Sequence, residues 1–75
     1  MPAKIEEIKE LISQQLGRTH IRSEDLLIED LGAESVDIVN IVASAEDKYS
    51  VFIEEEEIPK IRNAADLLAL VQTKA

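Results

Sequence analysis

Ser35 is the residue in this 75-residue chain with the most chemistry open to it. A serine hydroxyl acts as a catalytic nucleophile only when a general base stands within reach. The one histidine, His20, lies in a different stretch, and no G-x-S-x-G turn surrounds Ser35. A hydrolase is therefore a poor reading, and no enzymatic activity is expected. Cysteine is absent, which removes disulfides and thiolate metal sites, so any sulfur chemistry must use an added group. The acidic run Glu54-Glu55-Glu56-Glu57 lacks the spaced oxygen ligands and the glycine of a calcium loop. No metal site is assigned. Taken without its surroundings, a serine such as Ser35 reads by default as a plain helix N-cap.

Four elements must position these residues. Ile5, Ile8, Leu11, Ile12 and Leu16 recur at helical spacing, with Pro2 suited to the first turn and Gly17 to a left-handed stop. From Gly17 to Glu34 the period lapses, and a connection this long points to function. Ile21, Leu26, Leu27, Ile28 and Leu31 supply apolar anchors that should pack it across the helices, part of it as a short helical turn. A second helix is expected from Ser35 to Tyr49. Its inward stripe is Ile38, Ile41, Val42, Ala45 and Tyr49. Val36, Val39 and Ala43 form another apolar strip, rotated roughly 100–160° away, with Asn40 and Asp47 at its edge. That strip either touches the long loop or docks a partner.

Val51–Ile53 reads as an extended link, because a strand there has nothing to pair with. A brief third helix is expected over Glu55–Ile61, weakened by Pro59, and a fourth opens on Asn63 and Asp66 in the manner of a capping box. Its inward face is Ala64, Leu67, Leu68 and Val71. The expected fold is all-α: a small four-helix bundle of three longer helices and one short one, forming a single domain over residues 1–75.

Sixteen acidic and eight basic residues give a formal net charge of -8. That surplus repels phosphate backbones and anionic lipids, so neither nucleic acid nor membrane is an expected partner. It suits basic patches on other proteins. No signal core or apolar run of transmembrane length is seen, so a cytoplasmic protein is expected; a monomer is expected as well. A domain this small buries only about 60% of its unfolded surface and should be marginally stable.

The stretch Glu29-Asp30-Leu31-Gly32-Ala33-Glu34-Ser35-Val36-Asp37 resembles the acyl carrier protein signature D-L-G-A-D-S-L-D. The similarity continues through Gln15-Leu16-Gly17, the helix after the serine, the acidic short helix, Lys60-Ile61 and the closing amphipathic helix. The resemblance implies that Ser35 carries a covalent 4'-phosphopantetheine derived from coenzyme A, and that acyl groups ride on it as thioesters. The pathway implied is fatty-acid or lipid biosynthesis, or a specialised acyl or polyketide route. It also implies partners with basic docking patches: a phosphopantetheinyl transferase, acyltransferases and ketoacyl synthases. By position, Glu34, Val36, Asp37, Val39, Asn40, Ala43, Asp47, Glu54 and Glu55 are the expected contacts.

Ala45 stands where the family often has leucine. An acyl-sheltering cavity is accordingly expected among Leu27, Ile41, Val42, Ala45, Ile53, Ile58, Ile61 and Leu68. The alternative is an unmodified acidic helical domain that binds a basic protein, with Ser35 only a cap.

Overall fold

The computed structural model describes residues 2–74. Three α-helices, α1 (Ile5–Leu16), α2 (Ser35–Tyr49) and α3 (Ala64–Lys74), are joined by a 3-10 helix over Glu55–Lys60. No strand occurs among the described residues. The chain is an all-helical bundle with one short member.

Ile8 and Ile12 of α1, Ile41 and Ala45 of α2, and Leu67 and Val71 of α3 bury completely or nearly so. They come from turns spaced at the helical period, so each helix turns one apolar face inward. Two polar bonds fix α1 antiparallel to α2. The Tyr49 hydroxyl donates to Glu7 at 3.0 Å, and the Gln15 amide donates to Asp37 at 3.2 Å. The last residue of α2 thus lies at the first turn of α1, and the reverse holds at the other end.

Each of three elements starts with the same device. The carboxylate three residues into the element accepts the N–H of the residue preceding it: Glu7 from Lys4 at 3.2 Å, Asp37 from Glu34 at 2.9 Å, and Glu57 from Glu54 at 2.8 Å. This satisfies an amide that precedes the first helical turn and places negative charge at the positive end of the dipole. At α1 it corrects the expectation for Pro2, which lies outside the helix. Extended Lys4, not the proline, begins it. Gly17 closes α1 at φ +66, as its lack of a Cβ allows.

Asn63 caps α3 by accepting the Asp66 N–H at 2.8 Å. Asp66 reaches back one residue further than a capping box requires, to the Arg62 N–H at 3.1 Å. The short helix stops at Lys60, one residue before the expected end, where Ile61 turns extended and buries.

The long connection between α1 and α2 packs as a strap. Ile21, Leu27 and Leu31 are buried, Leu26 is half-buried, and Ile28 faces solvent, so four of the five expected anchors point inward and one does not. Leu27 N–H donates to the Arg62 carbonyl at 2.9 Å, and Ala65 N–H to the Ser23 carbonyl at 3.1 Å. Both bonds tie the strap to the approach to α3. A turn over Leu26–Gly32 then delivers the chain to α2, with Asp30 holding the Leu26 N–H at 2.8 Å.

Candidate functional site

Ser35 is the first helical residue of α2, and it is exposed. The N-cap is Glu34, whose backbone is extended and whose carbonyl accepts the first intrahelical bond from Ile38 at 3.1 Å. Ser35 therefore does not serve as the cap. Its hydroxyl sits one position inside, where the amides of the first turn lack intrahelical acceptors and favour an anion. Buried Leu31 and Ala33 hold the turn before it, with Gly32 between them at φ +72.

Two carboxylates flank the hydroxyl, and they behave differently. Glu34 is exposed. Asp37 is half-buried, and the Glu34 N–H, then the Gln15 amide, hold its pKa below the ordinary aspartate value. It stays charged, and both partners belong to the fold. Among the expected contact residues, then, Asp37 also fastens α2 to α1.

The second apolar strip of α2 is uncovered. Val36 is 59% and Val39 51% exposed, and Ala43, Asn40 and Asp47 are exposed with them. The long loop borders this strip at Val39 without burying it. Glu54 and Glu55 are likewise exposed at the start of the 3-10 helix.

A half-open cavity of about 440 Å³ adjoins Ser35. Its walls are Leu26–Glu29 of the strap, Ser35, Ile38 and Val39 of α2, and Ile58, Pro59, Ile61 and Arg62. Of the eight residues expected to line a cavity, Leu27, Ile58 and Ile61 do so. Ile41, Val42, Ala45 and Ile53 are instead buried in the core, and Leu68 packs against it half-buried. The small Ala45 is fully buried within that core. The open space lies between the strap and the 3-10 helix. Sequence reasoning did not place Leu26, Ile28, Glu29, Ser35, Ile38, Val39, Pro59 or Arg62 on the cavity wall. Leu26 and Ile28 carried a signal, as apolar anchors of the long loop.

His20 is an exposed loop residue at φ 60, remote in sequence from Ser35. No group of three histidine, aspartate or glutamate side chains poised for a metal occurs among the described residues. No described helix is long and apolar enough to cross a membrane.

A family model described as phosphopantetheine attachment site matches residues 6–71. The acyl carrier protein of Wolinella succinogenes is 34% identical over 73 residues, covering 95% of this chain and 96% of its own. This chain belongs to the acyl carrier protein family. That of Helicobacter hepaticus is 35% identical over 69 residues, covering 89% of this chain and 91% of its own. A chain in the solved structure described as the ishigamide ketosynthase/chain length factor superposes with a TM-score of 0.80 at 24% identity. The match covers 100% of this chain and 97% of that one, and it shows the shared fold.

Acyl carrier proteins are non-catalytic, and their prosthetic group is a covalent 4'-phosphopantetheine. The surroundings of Ser35 suit such a group on three counts. The hydroxyl is reachable from solvent, first-turn amides favour a phosphodiester, and an apolar hollow lies alongside.

Proposed function

We propose that Ser35 bears the 4'-phosphopantetheine and that this carrier, one domain over residues 1–75, conveys acyl groups as thioesters. The pathway is fatty-acid or lipid biosynthesis, or a specialised acyl or polyketide route. One observation carries the assignment: Glu34 caps α2, which leaves the Ser35 hydroxyl exposed beside an apolar cavity with no structural duty as a cap. The bound group supplies the thiol that the cysteine-free polypeptide lacks, and to that thiol an acyl group is esterified.

The chain's own residues do the rest. Gly32, Ala33 and the Glu34 cap set the hydroxyl at the mouth of α2. Leu27, Val39, Ile58 and Ile61 offer apolar shelter against water, worth up to about 0.8 kcal/mol per buried methylene. Glu34, Val36, Val39, Asn40, Ala43, Asp47, Glu54 and Glu55 present apolar contacts among acids to a phosphopantetheinyl transferase, acyltransferases and ketoacyl synthases. Asp37 orients this surface by fastening the start of α2. The carrier works as a cytoplasmic monomer, and its charge excludes nucleic acid and anionic membrane.

Intact-mass analysis after incubation with coenzyme A and a phosphopantetheinyl transferase tests this. The wild-type chain gains one arm and Ser35→Ala gains none. A wild-type chain that stays unmodified would favour the acidic interaction domain, and an arm found on another side chain would displace Ser35.

A further inference from the structure

Four large apolar side chains are exposed among the described residues: Ile28, Val36, Val39 and Phe52. The first three lie around Ser35 and its cavity, or directly beside it in sequence. Phe52 does not. It follows the far end of α2, whose 15 residues separate it from Ser35 by about 20 Å.

Phe52 is the chain's only phenylalanine, and it is 68% exposed. Its backbone is held on both sides. Val51 N–H donates to the Glu46 carbonyl at 3.2 Å, and Ile53 N–H to the Glu46 carboxylate at 2.8 Å. Ile53 buries against the core, so the extended chain turns the neighbouring ring outward. Single exposed apolar residues are ordinary. A pinned aromatic bordered by exposed Glu54, Glu55 and Glu56 has the composition of an interface anchor: an apolar centre with a charged rim. A phenyl ring with two torsions on a fixed backbone loses little entropy on docking.

We propose that Phe52 is a second docking anchor, which seats in an apolar socket rimmed by lysine or arginine on the ketosynthase that the carrier serves. The proposal rests on the carrier reading above. Charge selects the occupant: a second copy of this chain brings the same acids to the contact and is repelled, as is an anionic membrane. The grip lies at the opposite end of α2 from the hydroxyl, so the Ser35 end and its cavity stay open to the synthase's reacting site while the carrier is held.

The test uses the full chain as Ser35→Ala, so that docking is read apart from loading. The chain has no tryptophan, so the emission of Phe52→Trp, after subtraction of the spectrum of the same enzyme with the parent carrier, reports on this position. With its cognate ketosynthase, the Phe52→Trp protein binds about as tightly as the parent, and its emission shifts to the blue as the indole leaves water. Phe52→Ala weakens binding at least about tenfold, while its circular dichroism and the loading of Ser35 in the otherwise wild-type chain stay unchanged. Equal affinity for Phe52→Ala, indole emission that remains that of a solvated ring at saturation, or no saturable binding overturns the proposal. A blue shift that grows with carrier concentration in the absence of enzyme overturns it in favour of self-association. Failure of wild-type loading, by contrast, removes the carrier reading and leaves the docking result to stand by itself.

Discussion

The hydroxyl of Tyr49 and the carboxylate of Glu7 meet at 3.0 Å, joining the last residue of α2 to the first turn of α1. The bond shifts both partners. Partial burial, then the bond to Glu7, pushes the Tyr49 pKa up to about 12, and the same bond, then the Lys4 amide, lowers that of Glu7. Because the folded tyrosine value exceeds the unfolded one, near about 10, this contribution is fully present below pH 10. It is lost as pH rises from there through about 12. Tyr49→Phe should therefore unfold at lower temperature than wild type at neutral pH, with the gap closing across that alkaline window. Thermal melts of both proteins against pH measure it, and a gap that is constant with pH contradicts the assignment.

Leu67 is fully buried where α3 meets the core. Leu67→Ala should cost about 2–5 kcal/mol, a large share of the stability of so small a domain. Denaturant unfolding reads the loss directly, and a cost below about 1 kcal/mol would mean that the core collapses around the gap.

Asp37 should matter to order before it matters to docking. Asp37→Asn keeps the shape but weakens the acceptor that holds the Glu34 N–H and the Gln15 amide. Hydrogen exchange at the start of α2 should become several-fold faster, with α3 unchanged. Since the folded Asp37 pKa lies below its ordinary value, its contribution is present above the unfolded value. It fades as pH falls through the folded one, so wild type and mutant should converge in acid.

The location of the cavity yields a spectroscopic prediction. As acyl chains on the carrier lengthen, the methyl resonances of Val39, Ile58 and Ile61 should move, while those of Ile41, Val42 and Ala45 stay nearly fixed. The melting temperature should rise with each sheltered methylene, within the limit of about 0.8 kcal/mol. Larger movements at Ala45 than at Ile58 would place the cargo in the core.

Ionic strength should act with opposite signs on folding and docking. A chain with net charge -8 repels itself, so raising salt to about 0.15 M should raise the melting temperature. The same change should slow association with basic partners. Parallel melts and stopped-flow binding test both, and a fall in both quantities contradicts the self-repulsion.

The residues that announce themselves in the sequence are those governed by local rules. The bounds of α2 follow from its apolar period and its acidic start, and Gly17 and Asn63 act where their chemistry suggests. The apolar strip of Val36, Val39 and Ala43 was legible for the same reason. The cavity was not, because the helical period shows only that Ile41 and Ala45 turn inward. It does not show that an open space remains beside Ile38, between the strap and the 3-10 helix. Pro2 misled, since a reciprocal bond between Lys4 and Glu7 outweighs a residue that merely tolerates a first turn.

The hydrogen bond from Leu27 to the Arg62 carbonyl makes two sides of the hollow mechanically one. Leu27 and Arg62 both border it, and Arg62 directly precedes the cap of α3. Prying that wall outward therefore strains the latch at the root of the last helix, so a bulky guest reports its presence to a part of the molecule it never touches.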